Sequence, residues 1–291
     1  MSMELRHLRH FIALAEELHF GNAARRLHIT QPPLSASIRQ LEESLGTRLF
    51  DRDSRSVRLS SVGAAFLPEA LRTVSQAQAT EEAGRALAAG KLGNLLIAFT
   101  SSMIYRGMPE FLEKFSSKYP DIQIRLSDLT VVEQVDALFS KRIHASFSSG
   151  QTIAAGLSGK KLADDAFVLC VHKSHWAAGK SSLRLSELIN EDFIIFSRDI
   201  TPSGYNHVVS MCLRAGFYPH EKAHVRQWIT AALLVSKGLG VAITPASLQR
   251  ASLKDVEFIT LEDPDTQTSG YFLWNPNAMS PALANLIDFI L

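Results

Sequence analysis

The stretch Gly21-Asn22-Ala23-Ala24-Arg25-Arg26-Leu27-His28-Ile29-Thr30-Gln31-Pro32-Pro33-Leu34-Ser35 constrains this chain more than any other. It predicts two short helices meeting at a steep angle. Ala23 and Ala24 are small enough for a neighbouring helix to approach closely. Thr30 is placed to cap the second helix, and Pro32 and Pro33 are tolerated in a first turn, whose N–H groups have no intrahelical partner. Leu34, Ile38, Leu41 and Leu45 follow at i, i+4, i+7 and i+11, one apolar stripe. Gln31, Pro32, Ser35, Ala36, Arg39 and Gln40 occupy the opposite face. This is the pattern of a helix-turn-helix, whose second helix enters a DNA groove; an ordinary helical hairpin would show it too.

The residues that follow favour DNA. Gly46 ends the helix. Arg48-Leu49-Phe50-Asp51 and Val57-Arg58-Leu59 then frame a polar turn, a strand–turn–strand wing whose Arg52, Arg55 and Arg58 are placed to reach phosphate or a minor groove. Residues 1–60 carry nine arginines, no lysine and seven carboxylates. That small excess suits a solvated surface as well as DNA, so the motif carries the inference.

These first 60 residues resemble the N-terminal module of the LysR-type transcriptional regulators. The resemblance lies in Met3-Glu4-Leu5-Arg6-His7-Leu8, Glu16-Glu17-Leu18-His19-Phe20-Gly21, the Ala23-Ala24 pair, Gln31-Pro32-Pro33-Leu34-Ser35, Gln40-Leu41-Glu42 and Leu49-Phe50-Asp51-Arg52. Weaker similarity runs over the whole chain and is strongest to the branch that responds to small organic and aromatic acids. Where many relatives place an arginine after the serine of the Gln-Pro-Pro-Leu-Ser run, this chain has Ala36. Arginine can fork onto a guanine edge, whereas alanine can only touch a thymine methyl. The expected DNA-contacting set is therefore Thr30, Gln31, Pro32, Pro33, Ser35, Ser37 and Arg39 on the helix, with Arg52 and Arg55 on the wing.

At 291 residues with 46% apolar content and a net charge of +1, the chain is long enough for about two domains with real cores. The opening Met-Ser-Met-Glu-Leu-Arg-His is too charged for a signal peptide, and no apolar run approaches the ~18 residues of a membrane span. Cys170 and Cys212 lack CxxC spacing. A cytoplasmic, reduced protein with no membrane association is expected.

Residues 61–89 are Ala-rich, with Phe66, Leu67, Ala70, Leu71, Val74, Ala77 and Leu87 at helical spacing. Such a helix would extend about 40 Å. Apolar on one side and belonging to neither flanking core, it either folds back on its own domain or seeks a partner. The resemblance implies a linker helix pairing antiparallel with a second subunit, and dimers that pair again into a tetramer.

From Leu95 the period changes. Strands are expected at 95–99, 122–126 and 145–147, with helices at 104–118 and 132–140, an order that demands a mainly parallel sheet. A second set follows: strands at 167–171, 193–196, 223–225 and 241–243, and helices at 206–215 and 229–237. Strand 271–274 and helix 281–291 return to the first lobe. Two α/β lobes joined by two crossings resemble the periplasmic-binding-protein fold of LysR-type effector domains, with a cleft at the strand C-terminal ends. The expected division is a winged helix-turn-helix at 1–60, a linker helix at 61–91 and an effector domain at 92–291. Within it, lobe I takes about 92–162 and 266–291, and lobe II about 163–265.

Thr100-Ser101-Ser102 follows the first strand of lobe I and precedes a helix. Free N–H groups, a positive dipole end and hydroxyls together favour a carboxylate, although Ser and Thr are also the ordinary helix caps. Thr130 holds the matching place after the second strand. In lobe II, Ser197-Arg198-Asp199-Ile200-Thr201-Pro202-Ser203 repeats the pattern, and two such ends would clamp a small anion. By resemblance, Ser101, Ser102, Thr130 and Pro202 match effector-contacting places. Thr100, Ser149, Arg198, Thr201, Ser203 and Trp228 complete the candidate set, Arg198 being equally suited to a salt bridge and Trp228 to the core. Ser148-Ser149-Gly150 stands where some relatives have an arginine, which favours a monocarboxylate or a neutral polar compound over a dicarboxylate.

There is no GxSxG elbow, Walker loop or HExxH. His220 and His224 have i, i+4 spacing but cross from Pro219 into an expected strand. No catalytic residue, metal ligand or cofactor is expected. The expected partners are double-stranded DNA, a small-molecule effector and further copies of the chain, with RNA polymerase as a further candidate. Two rivals use the same lobes: a transport-type binding protein whose helical N-terminus only oligomerises, and an enzyme.

Overall fold

The computed structural model describes residues 3–52, 56–150, 153–199 and 202–290, which form two compact units, Met1–Ala86 and Leu87–Leu291. In the first, α1 (Leu5–Glu17), α2 (Phe20–Arg26) and α3 (Gln31–Leu45) precede β1 (Phe50–Arg52), β2 (Val57–Leu59) and α4 (Ser61–Ala88). Ala23 and Ala24 are buried at the helix contact, as their size requires, and Leu34, Ile38 and Leu41 point into the same core. Leu45, the last of the apolar stripe, is 39% exposed. Gly46 ends α3 with φ 66°, a conformation that costs a glycine little. The strands β1 and β2 pair antiparallel from Phe50↔Leu59 to Arg52↔Val57. Phe11 stacks on both Phe50 and Phe66, with ring centroids 5.4 and 5.3 Å apart, and so ties α1 to the wing and to α4.

The long helix corrects one expectation. Ala70 is buried in the N-terminal core and Phe66, Leu67 and Val74 pack against it, so the first half of α4 belongs to that core. Beyond Val74 the helix is exposed apart from half-buried alanines, and Leu87 is half exposed.

The second unit continues with β3 (Gly93–Phe99), α5 (Ser102–Tyr105), α6 (Met108–Lys118), β4 (Ile122–Asp128), α7 (Val131–Phe139), β5 (Ala145–Gly150) and β6 (Ser158–His172). It then runs through β7 (Ser182–Leu183), β8 (Asp192–Phe196), α8 (Pro202–Arg214), β9 (His220–Val225), α9 (Trp228–Val235), β10 (Ala242–Pro245), β11 (Val256–Leu261), β12 (Gln267–Trp274) and α10 (Pro281–Ile290). The expected single helix at 104–118 is broken: Arg106 and Gly107 interrupt it, and Gly107 has φ 90°.

The sheet is mixed rather than mainly parallel. Strands β4, β3 and β5 are parallel, but β12 pairs antiparallel with β5 and β6. Strand β6 is one 15-residue crossing, not the short 167–171 strand expected. Its first part, to Ala166, pairs with β12; from Phe167 it pairs with β10 and β11. One strand thus serves both lobes, whose main cores gather around Phe115 and Phe272 on one side and Leu169 and Phe193 on the other. β8 and β9 form a parallel pair joined to this lobe by a Phe193↔Val241 bridge. Strands β7 and β11 were not anticipated from the sequence. Among the described residues no helix is long and apolar enough to cross a membrane.

Candidate functional site

The exposed end of α3 carries Gln31, Pro32, Pro33, Ala36 and Arg39, with Ser35 half-buried. Thr30 sits at the N-cap, but its side chain makes no capping hydrogen bond, contrary to the expected role. With Pro32 and Pro33 lacking N–H groups, the first turn presents short side chains outward rather than a row of backbone donors. Arg39 is exposed and has no ion-pair partner among the described residues.

Two members of the expected DNA-contacting set are engaged inside the unit. Ser37 is only 6% exposed, its Oγ 2.8 Å from His10 Nδ1, so it faces α1 rather than a groove. Burial lowers the His10 pKa, helped by the neighbouring His7 and Arg6. Arg52 donates from Nη2 to Glu42 Oε2 at 2.9 Å, and its guanidinium lies over the Phe20 ring, 5.2 Å from the centroid. The other oxygen of Glu42 accepts the backbone N–H groups of Leu49 and Phe50 at 2.9 and 3.1 Å. Glu42 thereby fastens the wing to α3, and Arg52 is its counter-ion rather than a free phosphate contact. Arg55 lies outside the described residues.

In the second unit a cleft of about 370 Å3 opens between the lobes. Thr100, Ser101, Ser102, Thr130, Ser149 and Trp228 all line it, so six residues expected from sequence meet in one place. Thr100 Oγ1 lies 3.3 Å from Ser102 Oγ and donates weakly to Ser149 Oγ at 3.4 Å. Thr130 is already committed as a cap: its Oγ1 accepts from Glu133 N, while its N–H and hydroxyl donate to Glu133 Oε2 at 2.8 and 2.9 Å. The Thr130 amide holds the Glu133 carboxyl below its usual range, whereas burial raises that of Asp128. Both residues line the cleft and place carboxyl groups at its lobe I end.

The expected helix dipole at 100–102 does not materialise, because α5 is a single turn. Two further candidates do not line the cleft: Arg198 is exposed and stacks over the Tyr205 ring, and Pro202 is exposed at the start of α8. Thr201 and the Ser203 side chain lie outside the described residues. From α8 the cleft is lined instead by Gly204 and His207. Trp228 packs tilted against Phe196 and edgewise on Phe167, with centroids 4.3 and 5.8 Å away, and all three residues line the cleft. Trp228 thus packs against the core and also lines the cleft.

The sequence reading missed Phe167, Phe196, Arg226 and Arg106 as lining residues. Arg226 is exposed at the rim. The Arg106 side chain is 6% exposed, beside an Asp165 that is 9% exposed. Its Nε is 3.3 Å from Asp165 Oδ2, a long contact, and neither Nη1 nor Nη2 has a hydrogen-bonding acceptor among the described residues. Its room comes from Gly270, at a register shift in β12, where a Cβ would stand 3.3 Å from Nη1. No local signal in the sequence marks this, since the contact joins residues far apart in the chain.

Two histidine–carboxylate clusters on β9 are internally paired. His220 Nδ1 faces Asp192 at 2.6 Å and His224 Nε2 faces Glu221 at 2.7 Å, both from strand β9. The thiols of Cys170 and Cys212 are buried, and burial raises each pKa to about 12, which removes thiolate chemistry.

A helix-turn-helix followed by a two-lobed α/β unit with an interlobe cleft defines a DNA-binding regulator with a ligand-binding domain. Residues 5–64 match the family described as "Bacterial regulatory helix-turn-helix protein, lysR family", and residues 88–291 match the LysR substrate binding domain. The chain belongs to the LysR family of transcriptional regulators, which are not enzymes. It is 37% identical over 265 residues to the HTH-type transcriptional regulator CatR of Pseudomonas putida, covering 90% of this chain and 89% of that one. It is 32% identical over 287 residues to the uncharacterized HTH-type regulator YnfL of Escherichia coli, covering 98% and 97%. The crystal structure of CbnR, a LysR family transcriptional regulator, superposes with TM-score 0.88 at 30% identity, covering 99% of this chain and 100% of that one. CbnR has also been solved full-length in complex with its target DNA.

Proposed function

We propose that this regulator responds to a small organic acid, aromatic members included, held in the interlobe cleft, and that the acid modulates DNA binding or activation. The observation that carries this reading is the meeting of the Thr100, Ser102 and Ser149 hydroxyls with the Phe167, Phe196 and Trp228 rings around one cleft. Hydroxyls orient a polar head and rings cover an apolar body, the usual composition of a ligand site. The division into winged part (1–60), linker helix (61–91) and effector domain (92–291) is part of the proposal, as are the two lobes. So is pairing of the exposed second half of α4 with a partner subunit, dimers joining into tetramers. Ligand binding would act through unequal affinity for two subunit arrangements. RNA polymerase is a further candidate partner at the promoter.

On DNA, Gln31, Ser35 and Arg39 are the proposed reading residues, with Pro32 and Pro33 setting the helix entry. Footprinting on the promoter region beside the protein's own gene, with and without a panel of carboxylic acids, tests the whole. A footprint whose extent changes with one acid supports the reading. A footprint indifferent to every acid, with no acid bound by calorimetry, removes the effector class.

A further inference from the structure

We propose that Arg106 is the anion anchor of the cleft, and that a bound monocarboxylate takes its guanidinium over from Asp165. The inference rests on the reading of the cleft as the ligand site and names the group that selects the ligand's charge.

Arg106 is a cation with its side chain almost fully covered, and a guanidinium has five N–H donors. Asp165 supplies opposite charge in one long contact, 3.3 Å from Nε, and no described residue accepts a hydrogen bond from Nη1 or Nη2. Burial disfavours the charged form and Asp165 and Asp164 oppose that effect. Arginine nonetheless stays protonated in proteins. An uncompensated buried donor is costly, and a planar guanidinium presenting several is the natural complement of a two-oxygen acid group. The group lines the cleft together with Ser102, itself 4% exposed.

Asp165 is not free to follow Arg106. Its carboxylate accepts the Ser247 N–H at 3.2 Å, in the 3-10 turn that succeeds β10. The neighbouring Tyr105 packs on the cluster that contains Leu248. Arg106 from lobe I, Asp165 on the crossing strand and Ser247 from lobe II thus form a chain across the lobe boundary. A carboxylate at the cleft floor competes with Asp165 for one end of that chain. The guanidinium nitrogens are covered, so they become available only as the cleft rearranges around the acid, which couples occupancy to the lobe contact.

The rest of the cleft narrows the ligand class. Phe167, Phe196 and Trp228 suit an apolar body, and Asp128 with Glu133 disfavours a second negative charge at the lobe I end. The fit is a monocarboxylate with an apolar or aromatic body.

Benzoate, hexanoate and the uncharged isostere benzamide are the probes, titrated into the full chain by calorimetry and by tryptophan fluorescence, the Trp228 contribution being assigned with a Trp228→Phe control. Benzoate or hexanoate is expected to bind, with benzamide weaker by about tenfold or more. Arg106→Met should weaken the carboxylate by a similar factor. Asp165→Asn, which keeps an acceptor for Ser247 but removes the competing charge, should tighten it severalfold. If Arg106→Met does not fold, the double variant R106M/D165N, which removes both charges, decides by the same loss. Unchanged carboxylate binding in that double variant, or weaker binding in Asp165→Asn, overturns the anchor while leaving the cleft as the ligand site. Binding of benzamide with no binding of either acid does the same. Failure of all three probes to bind overturns the anchor and the acid-sensing reading together.

Discussion

Arg52 and Arg106 each face a carboxylate, at 2.9 and 3.3 Å, and the two pairs work in opposite ways. At the wing the carboxylate is the well-served partner: Glu42 receives two backbone N–H groups and one arginine, and Arg52 rests on Phe20 with a third of its side chain in solvent. At the cleft the arginine is nearly fully covered, and Asp165 meets only its Nε, which leaves Nη1 and Nη2 without an acceptor among the described residues. A pair whose hydrogen bonds are complete holds structure together. A buried pair whose donors are left over is poised to exchange partners.

The largest difference should come from deleting the carboxylate of each pair. Asp165→Ala strands a buried arginine and should cost about 3–5 kcal/mol. All three tryptophans, Trp176, Trp228 and Trp274, lie in the second unit, so urea unfolding followed by tryptophan fluorescence reads this unit selectively. A loss below 1 kcal/mol would mean that Arg106 finds solvent, and the contrast between the pairs would collapse.

Glu42→Gln should cost less, about 1–3 kcal/mol, because it retains one acceptor for the Leu49 and Phe50 amides while Arg52 loses only a partly solvated partner. Calorimetric unfolding of the full chain should show the transition of the first unit lowered and that of the second unmoved. Equal shifts in both would show that the wing clamp does not act within its own unit.

Much of this architecture follows from local pattern. The apolar stripe of α3, the Ala23-Ala24 contact and the hydroxyl run at 100–102 are periodic or contiguous, so sequence alone locates them. What it could not locate depends on partners distant in the chain. Ser37 lies in the polar text of α3, and only the approach of His10 from α1 turns it inward. Arg106 reads as one more helix residue until Gly107 breaks the helix and a bulge at Gly270, more than 160 positions later, makes room for it. Strand β6 looks like a short apolar strand, since only its second half is buried; its polar first half is a strand because β12 pairs with it. The mainly parallel sheet failed for the same reason: strand direction is set by the crossing chain, not by the strand's own residues.

His10 gives the first unit an acid sensitivity of its own near neutrality. His10 has its pKa lowered from 6.5 by burial, with His7 and Arg6 adding like charge. The unfolded state therefore takes up a proton that the folded state refuses. The stabilisation is complete above pH 6.5 and is lost as pH falls from 6.5 toward the folded-state value. In the second unit His144 and His207 are lowered too, so the sharper test is substitution: His10→Gln should flatten the pH dependence of the first transition only. An unchanged slope in that variant would assign the sensitivity to another group.

The smallest effect separates structural from reading residues within α3 itself. Ser37 is 6% exposed and bonded to His10, whereas Gln31 is exposed on the outward face. Ser37→Ala removes one neutral hydrogen bond and should cost about 0.5–1.5 kcal/mol of stability, with operator affinity unchanged where the protein is folded. Gln31→Ala should do the reverse, leaving unfolding unmoved and weakening specific over non-specific binding by about 1–3 kcal/mol. Both are measured on the same samples, by thermal unfolding and by salt-dependent binding to a footprinted duplex. A Ser37→Ala protein of unchanged stability that loses tenfold or more in operator affinity would return Ser37 to the groove-facing set, and the inward turn of α3 at that position would be wrong.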